Sequence, residues 1–256
     1  MQDTDSHFSR RYLSSPFGQT HWLLRQPADT SRPPLLCLHP IPYSGVFFRT
    51  FMGLVDDRET LAPDYPGYGG SDGADDVISI EEHAQAIAPG IETFKELHVL
   101  GFHTGCLVGV ELALSYPSVT QLTLVDIPYF EANARSKMTV SDHELTPELS
   151  CLESLWSFSV SRNVPDLALT RAYELFIEQA RAGERERWGF KAAFAYPCEE
   201  RFAKVTTPTT IIATESGLKD PTIAASQAMS HATFRQRPDI NALVFETFAA
   251  EIAAEL

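Results

Sequence analysis

The 256-residue chain contains no run of 18 apolar residues, so the sequence predicts no transmembrane helix. Its first residues, MQDTDSHFSRRY, lack the apolar core of a secretory signal, and no such signal is expected. Only four cysteines occur, widely separated and without a CxxC pair, which excludes a disulfide scaffold and the usual zinc spacings. These absences predict a reduced, cytoplasmic protein without a metal site.

Basic residues are also scarce. Lys and Arg total 20 against 34 Asp and Glu, for a formal net charge of −14. A surplus of carboxylates disfavours nucleic acid and anionic membrane surfaces as partners. The sequence leaves the oligomeric state open, a homodimer included. The length fits one large domain or two small ones.

Short apolar runs alternate with helical patterns along most of the chain. Runs bounded by turn residues are typical of buried parallel strands, and they lie at residues 35–39, 97–101, 122–125 and 209–213. Ser79 begins a capping signature for a helix toward Phe94, residues 106–116 form an apolar helical pattern, and a last helix is expected over about 240–254. This alternation predicts an α/β fold with a mostly parallel sheet flanked by helices.

Residues 128–205 interrupt the alternation with helical patterns and no convincing strand. We interpret them as a helical insertion, a cap, between two core segments at 1–127 and 206–256. The insertion is rich in aromatic residues, and some of these are expected to line an apolar pocket: Trp156, Phe158, Trp188, Phe190, Phe194 and Tyr196. Ordinary packing between cap and core is the alternative role for each of them.

Three segments in order carry the most specific signal. They are residues 35–42 (LLCLHPIP), 64–71 (DYPGYGGS) and 97–106 (LHVLGFHTGC). Together they resemble the α/β-hydrolase superfamily, in its branch with a helical cap after the sixth strand. The resemblance extends over nearly the whole chain and implies the α/β-hydrolase fold and a hydrolase activity without a cofactor.

The third segment departs from that superfamily at one position. The superfamily's tight turn between the fifth strand and the next helix is G-x-S-x-G, with a serine nucleophile at its centre. Here Gly101 and Gly105 are kept, but His103 occupies the central position. The partial positive charge of a helix N-terminus disfavours an imidazolium, so we expect a neutral imidazole. Such a group can act as a general base or, more rarely, as a covalent nucleophile.

The resemblance also implies an oxyanion hole made of two backbone N–H groups. These belong to Ile41, in the turn after the strand at 35–39, and to Thr104, which follows His103. Each such donor can contribute ~3 kcal/mol to the stabilisation of developing negative charge. His39, at the end of that strand, is expected to reach the same pocket.

The superfamily's catalytic acid follows its seventh or its sixth strand. Asp220 is the candidate after the seventh strand, and Asp126 is the candidate after the sixth. An aspartate directly after a strand is more commonly a turn or cap residue, so both assignments have a structural alternative.

The catalytic histidine of the superfamily allows two alignments. Ser230-His231 precedes Pro238 at the expected local spacing, which would make His231 the catalytic histidine. In the other alignment a helix covers 221–230 and the eighth strand covers 232–237. The histidine loop is then deleted, and His231 only ends a helix.

Two functions are consistent with these residues. The first is a cofactor-independent enzyme acting on a small, partly apolar substrate, with His103 in place of the usual serine. Hydrolysis fits this site, as would a lyase or isomerase reaction that uses the same oxyanion hole. The second is a catalytically silent relative that binds a small molecule or a partner protein. A second titratable group beside His103 favours the enzyme, whereas a pocket filled by the cap favours the silent protein.

Overall fold

The computed structural model describes residues 8–256, which form an eight-stranded sheet with helices on both faces. The strands are β1 (Phe8–Ser15), β2 (Gly18–Arg25), β3 (Leu35–Leu38), β4 (Thr60–Pro63), β5 (Leu97–Phe102), β6 (Val119–Val125), β7 (Thr209–Thr214) and β8 (Thr233–Arg237). Their order in the sheet is β1-β2-β4-β3-β5-β6-β7-β8. The strands β3 to β8 are parallel, and β1 and β2 are antiparallel to their neighbours.

The α-helices follow the strands in the expected alternation. They are α1 (Arg49–Leu54), α2 (Ile80–Ile87), α3 (Thr104–Ser115), α4 (Ala132–Arg135), α5 (Ser150–Trp156), α6 (Leu169–Ala180), α7 (Trp188–Ala195), α8 (Cys198–Phe202), α9 (Lys219–Ala228) and α10 (Ala249–Ala253). A π-helical turn, Ser157–Ser161, continues α5. At the start of α2, Ser79 Oγ accepts from Glu82 N–H while the Glu82 carboxylate accepts from Ser79 N–H, which confirms the predicted capping box.

Two apolar clusters hold the helices against the sheet. One face packs under α2, α3 and α9, with Ile87 and Val108 buried. The other face packs under α1 and α10, with Phe51 and Ile252 buried. Burial on both faces explains why the central strands are short, continuous apolar runs. The predicted α/β architecture is therefore confirmed.

Helices α4 to α8 all lie between β6 and β7, and they form the cap that follows the sixth strand. Within residues 8–256, no strand interrupts this region, as the sequence predicted. No helix in that same part of the chain has the length and apolar character required to cross a membrane.

Two elements differ from expectation. The strand β1 carries a mostly exposed burial pattern, so its sequence has no apolar periodicity to reveal it. The last helix is restricted to Ala249–Ala253, because the chain after β8 first turns through Leu243, whose φ is +49°. In this segment Ile240 and Phe245 are buried. Their apolar side chains resemble those of a buried helix face, which explains why the sequence predicted a longer helix.

Candidate active site

The turn between β5 and α3 has the geometry that the sequence predicted. His103 lies directly after β5 with φ 49° and ψ −120°, and α3 begins at the next residue. A Cβ on Gly105 would lie 2.0 Å from the carbonyl oxygen of Leu38, and one on Gly101 would lie 2.7 Å from the Cα of Cys106. Both glycines are therefore required for the close approach of backbones, and the turn projects the residue at its apex.

His103 is held in a strained backbone conformation that L-residues rarely adopt. Its amide donates to Val125 O at 3.2 Å, and its carbonyl accepts from Cys106 N–H at 2.9 Å. These bonds tie the turn to β6 and to the first turn of α3. Strain that is kept in place by such bonds is common at functional sites.

The imidazole of His103 is neutral at pH 7. Burial lowers its pKa to about 4, and the negative charge of Asp126 opposes part of that change. The ring lies against Phe102, with ring centroids 3.9 Å apart. Among residues 8–256, no side-chain hydrogen bond restrains either ring nitrogen.

Asp126 supplies a fixed negative charge beside this imidazole. It follows β6 directly, is fully buried and has a φ of +52°. Its Oδ1 accepts from Thr214 N–H at 2.8 Å and its Oδ2 accepts from Thr214 Oγ1 at 2.5 Å. No hydrogen bond joins Asp126 to His103 within residues 8–256, so the carboxylate affects the imidazole through its charge.

The two amides expected to form an oxyanion hole have no partner in the described chain. Ile41 follows β3 and Thr104 is the first residue of α3, and neither N–H donates a hydrogen bond within residues 8–256. The strands β3 and β5 are adjacent, with Leu38 paired to Gly101. Both amides thus lie at the same edge of the sheet as His103.

His39 does not join these groups. Its Nδ1 donates to Pro40 O at 3.0 Å, and its Nε2 accepts from Tyr65 N–H at 3.3 Å. Burial lowers its pKa to about 4, in keeping with a neutral ring that serves one donor and one acceptor. The expectation that His39 reaches the pocket is therefore corrected, since its ring instead shapes the turn that presents Ile41.

The structure also separates His231 from the β5–α3 turn. His231 is exposed in the turn before β8, at the amino end of that strand, whereas His103 lies at the carboxyl end of β5. Strand spacing places three strands' width and one strand's length between them, on the order of 20 Å. At that separation His231 cannot exchange a proton with His103, and the order of α9 and β8 follows the alignment in which the histidine loop is deleted.

Asp220 is likewise outside the site. It lies in the first turn of α9 with its side chain exposed. A carboxylate at this position interacts favourably with a helix N-terminus, which is the structural role that the sequence left open. Of the two acid candidates, only Asp126 is close enough to affect His103.

The chain after β8 carries other groups where the superfamily's histidine loop would be. Phe245 packs edge-on against Phe102 with ring centroids 5.1 Å apart. Glu246 Oε1 accepts from Arg171 Nη2 on α6 at 2.6 Å, and Glu246 Oε2 accepts from Thr50 Oγ1 at 2.6 Å. This segment therefore anchors the cap to the core instead of supplying an imidazole.

A second ion-pair cluster holds the other end of the cap. Glu111 of α3 is buried and accepts from Arg201 Nε at 2.7 Å and from the hydroxyl of Tyr196. Sequence reasoning missed both clusters, because their partners are 75 to 90 residues apart and no local pattern marks them.

The cap lies directly on the turn that follows β3. A Cβ on Gly189 of α7 would be 2.2 Å from Ile41 Cγ2, so the two are in tight contact. The structure does not support a lining of an enclosed pocket by Trp156, Phe158 and Phe190, because all three side chains are exposed to solvent.

His103 lines neither of the two following cavities in residues 8–256. One, of about 350 Å³, is an open groove at the amino edge of the sheet that includes Arg32 and Arg58. The other, of about 10 Å³, lies between core and cap beside His83 and Trp188.

Comparison with solved structures identifies the fold. Similar chains include a thioesterase domain from the curacin biosynthetic pathway, at 17% identity and a TM-score of 0.72, over 97% of this chain and 98% of that one. A hydrolase from Pseudomonas aeruginosa PA01 is similar at 16% identity and a TM-score of 0.76, over 96% of both chains. The N-acyl homoserine lactonase AidH is similar at 19% identity and a TM-score of 0.71, over 97% of this chain and 94% of that one.

Sequence comparison adds nothing to this. No protein-family model matches the chain, and no curated protein matches it. At these identities the solved structures show architecture rather than activity. The chain has the α/β-hydrolase fold.

Proposed function

We propose that the protein is a cofactor-independent hydrolase in which His103 acts as general base toward water. The backbone of the β5–α3 turn is the observation that carries the proposal, since His103 keeps a strained φ of 49° at the apex. Two unpartnered amides and a buried carboxylate accompany it at the same edge of the sheet. Gly101 and Gly105 account for the close packing of this turn, so the packing itself does not require a histidine at position 103.

The reaction uses groups of this chain alone. The substrate carbonyl oxygen accepts hydrogen bonds from the N–H groups of Ile41 and Thr104, which favours the tetrahedral oxyanion. Water attacks the carbonyl carbon as its proton passes to the neutral imidazole of His103. The charge of Asp126 stabilises the imidazolium, which then gives the proton to the departing alkoxide or thiolate. The products are a carboxylic acid and an alcohol or thiol.

The charge of Asp126 matters because an imidazole with a pKa of about 4 is a weak base in the resting protein. As the oxyanion and the imidazolium form together, each charge stabilises the other in a site with little water. The effective basicity of His103 therefore rises along the reaction. The same burial keeps the resting imidazole unprotonated over the physiological pH range.

Acyl compounds of small size are the substrates to test. Chains of similar fold are described as a thioesterase, a lactonase and an esterase. The close packing of α7 on Ile41 favours small ligands over bulky ones beside the Ile41 amide. We therefore infer a short, partly apolar acyl ester, thioester or lactone.

The experiment is a hydrolysis screen of p-nitrophenyl esters, acyl thioesters and N-acyl lactones of increasing chain length. The wild-type protein should hydrolyse short members faster than long ones. His103→Ala should lower kcat by roughly 10²- to 10⁴-fold, the usual contribution of a general base. The matched control, His231→Ala, alters an exposed imidazole and should leave kcat unchanged. Background rates across the whole screen would contradict the proposal.

A silent binding protein is the second candidate. Its supporting observations are the deleted histidine loop and the cap helix α7 seated on Ile41. In that case small acyl ligands should bind and raise the unfolding temperature without turnover. Binding without hydrolysis in the same screen would favour this candidate over the first.

A further inference from the structure

The outer surface of the cap exposes an unusual amount of apolar side chain. Most of the large apolar residues that are strongly exposed within residues 8–256 belong to the cap. Five of them form what we call the cap patch: Leu149 (78% exposed), Trp156 (39%), Leu169 (61%), Tyr173 (46%) and Ile177 (42%). Single exposed apolar side chains are ordinary, whereas a contiguous set marks an interaction surface.

The patch is contiguous because two cap helices contribute neighbouring faces. Leu169, Tyr173 and Ile177 are four residues apart on α6 and so share one face of that helix. Trp156, at the end of α5, lies against Tyr173 with ring centroids 5.7 Å apart. Leu149 is seven residues before Trp156, at the same angular position at the start of α5.

The opposite face of α6 is already occupied. Ala172 and Leu175 are buried beneath the helix, and Gln179 accepts from Ser159 Oγ at 3.1 Å. Arg171 ties the same helix to the core through Glu246. The part of the cap patch on α6 is therefore a second apolar face on a helix whose other face already packs against the protein.

The exposed area matches what a homodimer needs. From their exposed fractions, the five side chains present on the order of 500 Å² of apolar surface. A standard interface buries roughly 800 Å² on each partner, of which about 65% is apolar in homodimers. The cap patch alone supplies about that apolar share.

We propose that two copies of this chain associate through the cap patch, with their α6 helices packed across a two-fold axis near Tyr173. In a two-fold dimer the same patch serves both partners, so an apolar surface is its own complement. The row of Leu169, Tyr173 and Ile177 is an i, i+4 ridge, which fits the grooves of an identical helix at a crossing angle of about −50°.

The net charge of the chain favours a second copy over a membrane as the partner of the cap patch. The chain carries a net charge of −14, which repels anionic membranes. It also repels a second copy, so attraction in the dimer must come from the apolar contact. Screening of that repulsion by salt should therefore tighten the dimer, the opposite of what a charge-driven partner would show.

The test is sedimentation velocity on the full chain across micromolar concentrations, at low and at high salt. The wild type should sediment as a dimer whose dissociation constant falls as salt rises. Tyr173→Lys and Ile177→Lys should each raise that constant by at least about 30-fold, since central interface residues typically contribute 2 kcal/mol or more. Leu54→Lys is the matched control, because Leu54 is 51% exposed but lies outside the cap.

Two measurements keep the outcome clear. Urea unfolding of each variant shows whether it is folded, and two separate lysine variants guard against the failure of one. A monomeric wild type, or a dimer that survives both substitutions, would overturn the proposal. So would a dimer that dissociates as salt rises, or a monomer that binds vesicles of neutral phosphatidylcholine through the same residues.

Discussion

Acid should destabilise this protein through histidines that are buried in the neutral form, and His83 allows the clearest test. Its side chain is buried between Tyr65 and Tyr68, with ring centroids 5.2 and 6.3 Å away, and its Nδ1 has no partner in the described chain. Burial first, and then the neighbouring His39, lowers the pKa of His83 to about 3.

The sign and size of the effect follow from proton linkage. Between about pH 6.5 and about pH 3 the unfolded chain binds a proton at His83 that the folded chain does not, so stability falls as the pH falls through that window. At about pH 5, this one group lowers the free energy of unfolding by about 2 kcal/mol relative to about pH 7.5. Above about pH 6.5 its effect vanishes.

The assay is urea unfolding of wild type and His83→Gln at both pH values. The substitution shifts stability at each pH by an unknown packing contribution, but that contribution cancels in the difference between the two pH values. The loss on acidification should be smaller in His83→Gln by about 2 kcal/mol. The control, His231→Gln, changes an exposed side chain and should leave the loss as in the wild type. An equal loss in wild type and His83→Gln would refute the reasoning.

Three further predictions concern the site. Fluorophosphonate probes should not label the protein, because His103 stands where an activated serine would be, and stoichiometric labelling of any serine, detected by mass spectrometry, would contradict this. The kcat/KM for ester hydrolysis should stay flat down to about pH 6 and fall as the pH drops through about 4, where His103 becomes protonated and cannot act as a base; a limb near the usual histidine value would contradict it. Gly189→Ala should reduce the free energy of unfolding by about 1–3 kcal/mol, because its Cβ would overlap Ile41, whereas Gly217→Ala, which has nothing within 4 Å, should not.

The architecture was predictable because its signals are local. Continuous apolar runs mark the buried strands, and Ser79 with Glu82 marks a helix start by a reciprocal pair of hydrogen bonds. Gly101 and Gly105 mark the tight turn because only a missing Cβ permits that approach of backbones. Each of these sequence patterns extends over only a few residues, so each can be recognised before the fold is known.

The composition of the site was less predictable because it depends on contacts between distant segments. The local spacing was consistent both with His231 as the catalytic histidine and with a deleted histidine loop. Only the positions of α9 and β8 in the fold distinguish the two alignments. The role of His39 depends on Tyr65, 26 residues away, whose amide occupies its second nitrogen. Nothing near Glu246 in the sequence indicates that Arg171 will bind it.

The central claim, that the imidazole of His103 performs the proton transfer, is tested most directly by chemical rescue. The kcat/KM of His103→Ala is measured on the best ester of the screen, with and without free imidazole in the buffer. The substitution leaves a ring-sized space, while the amides of Ile41 and Thr104 are backbone groups that remain. We predict a loss of roughly 10²- to 10⁴-fold that added imidazole partly restores. Wild-type activity in His103→Ala without imidazole would contradict the account.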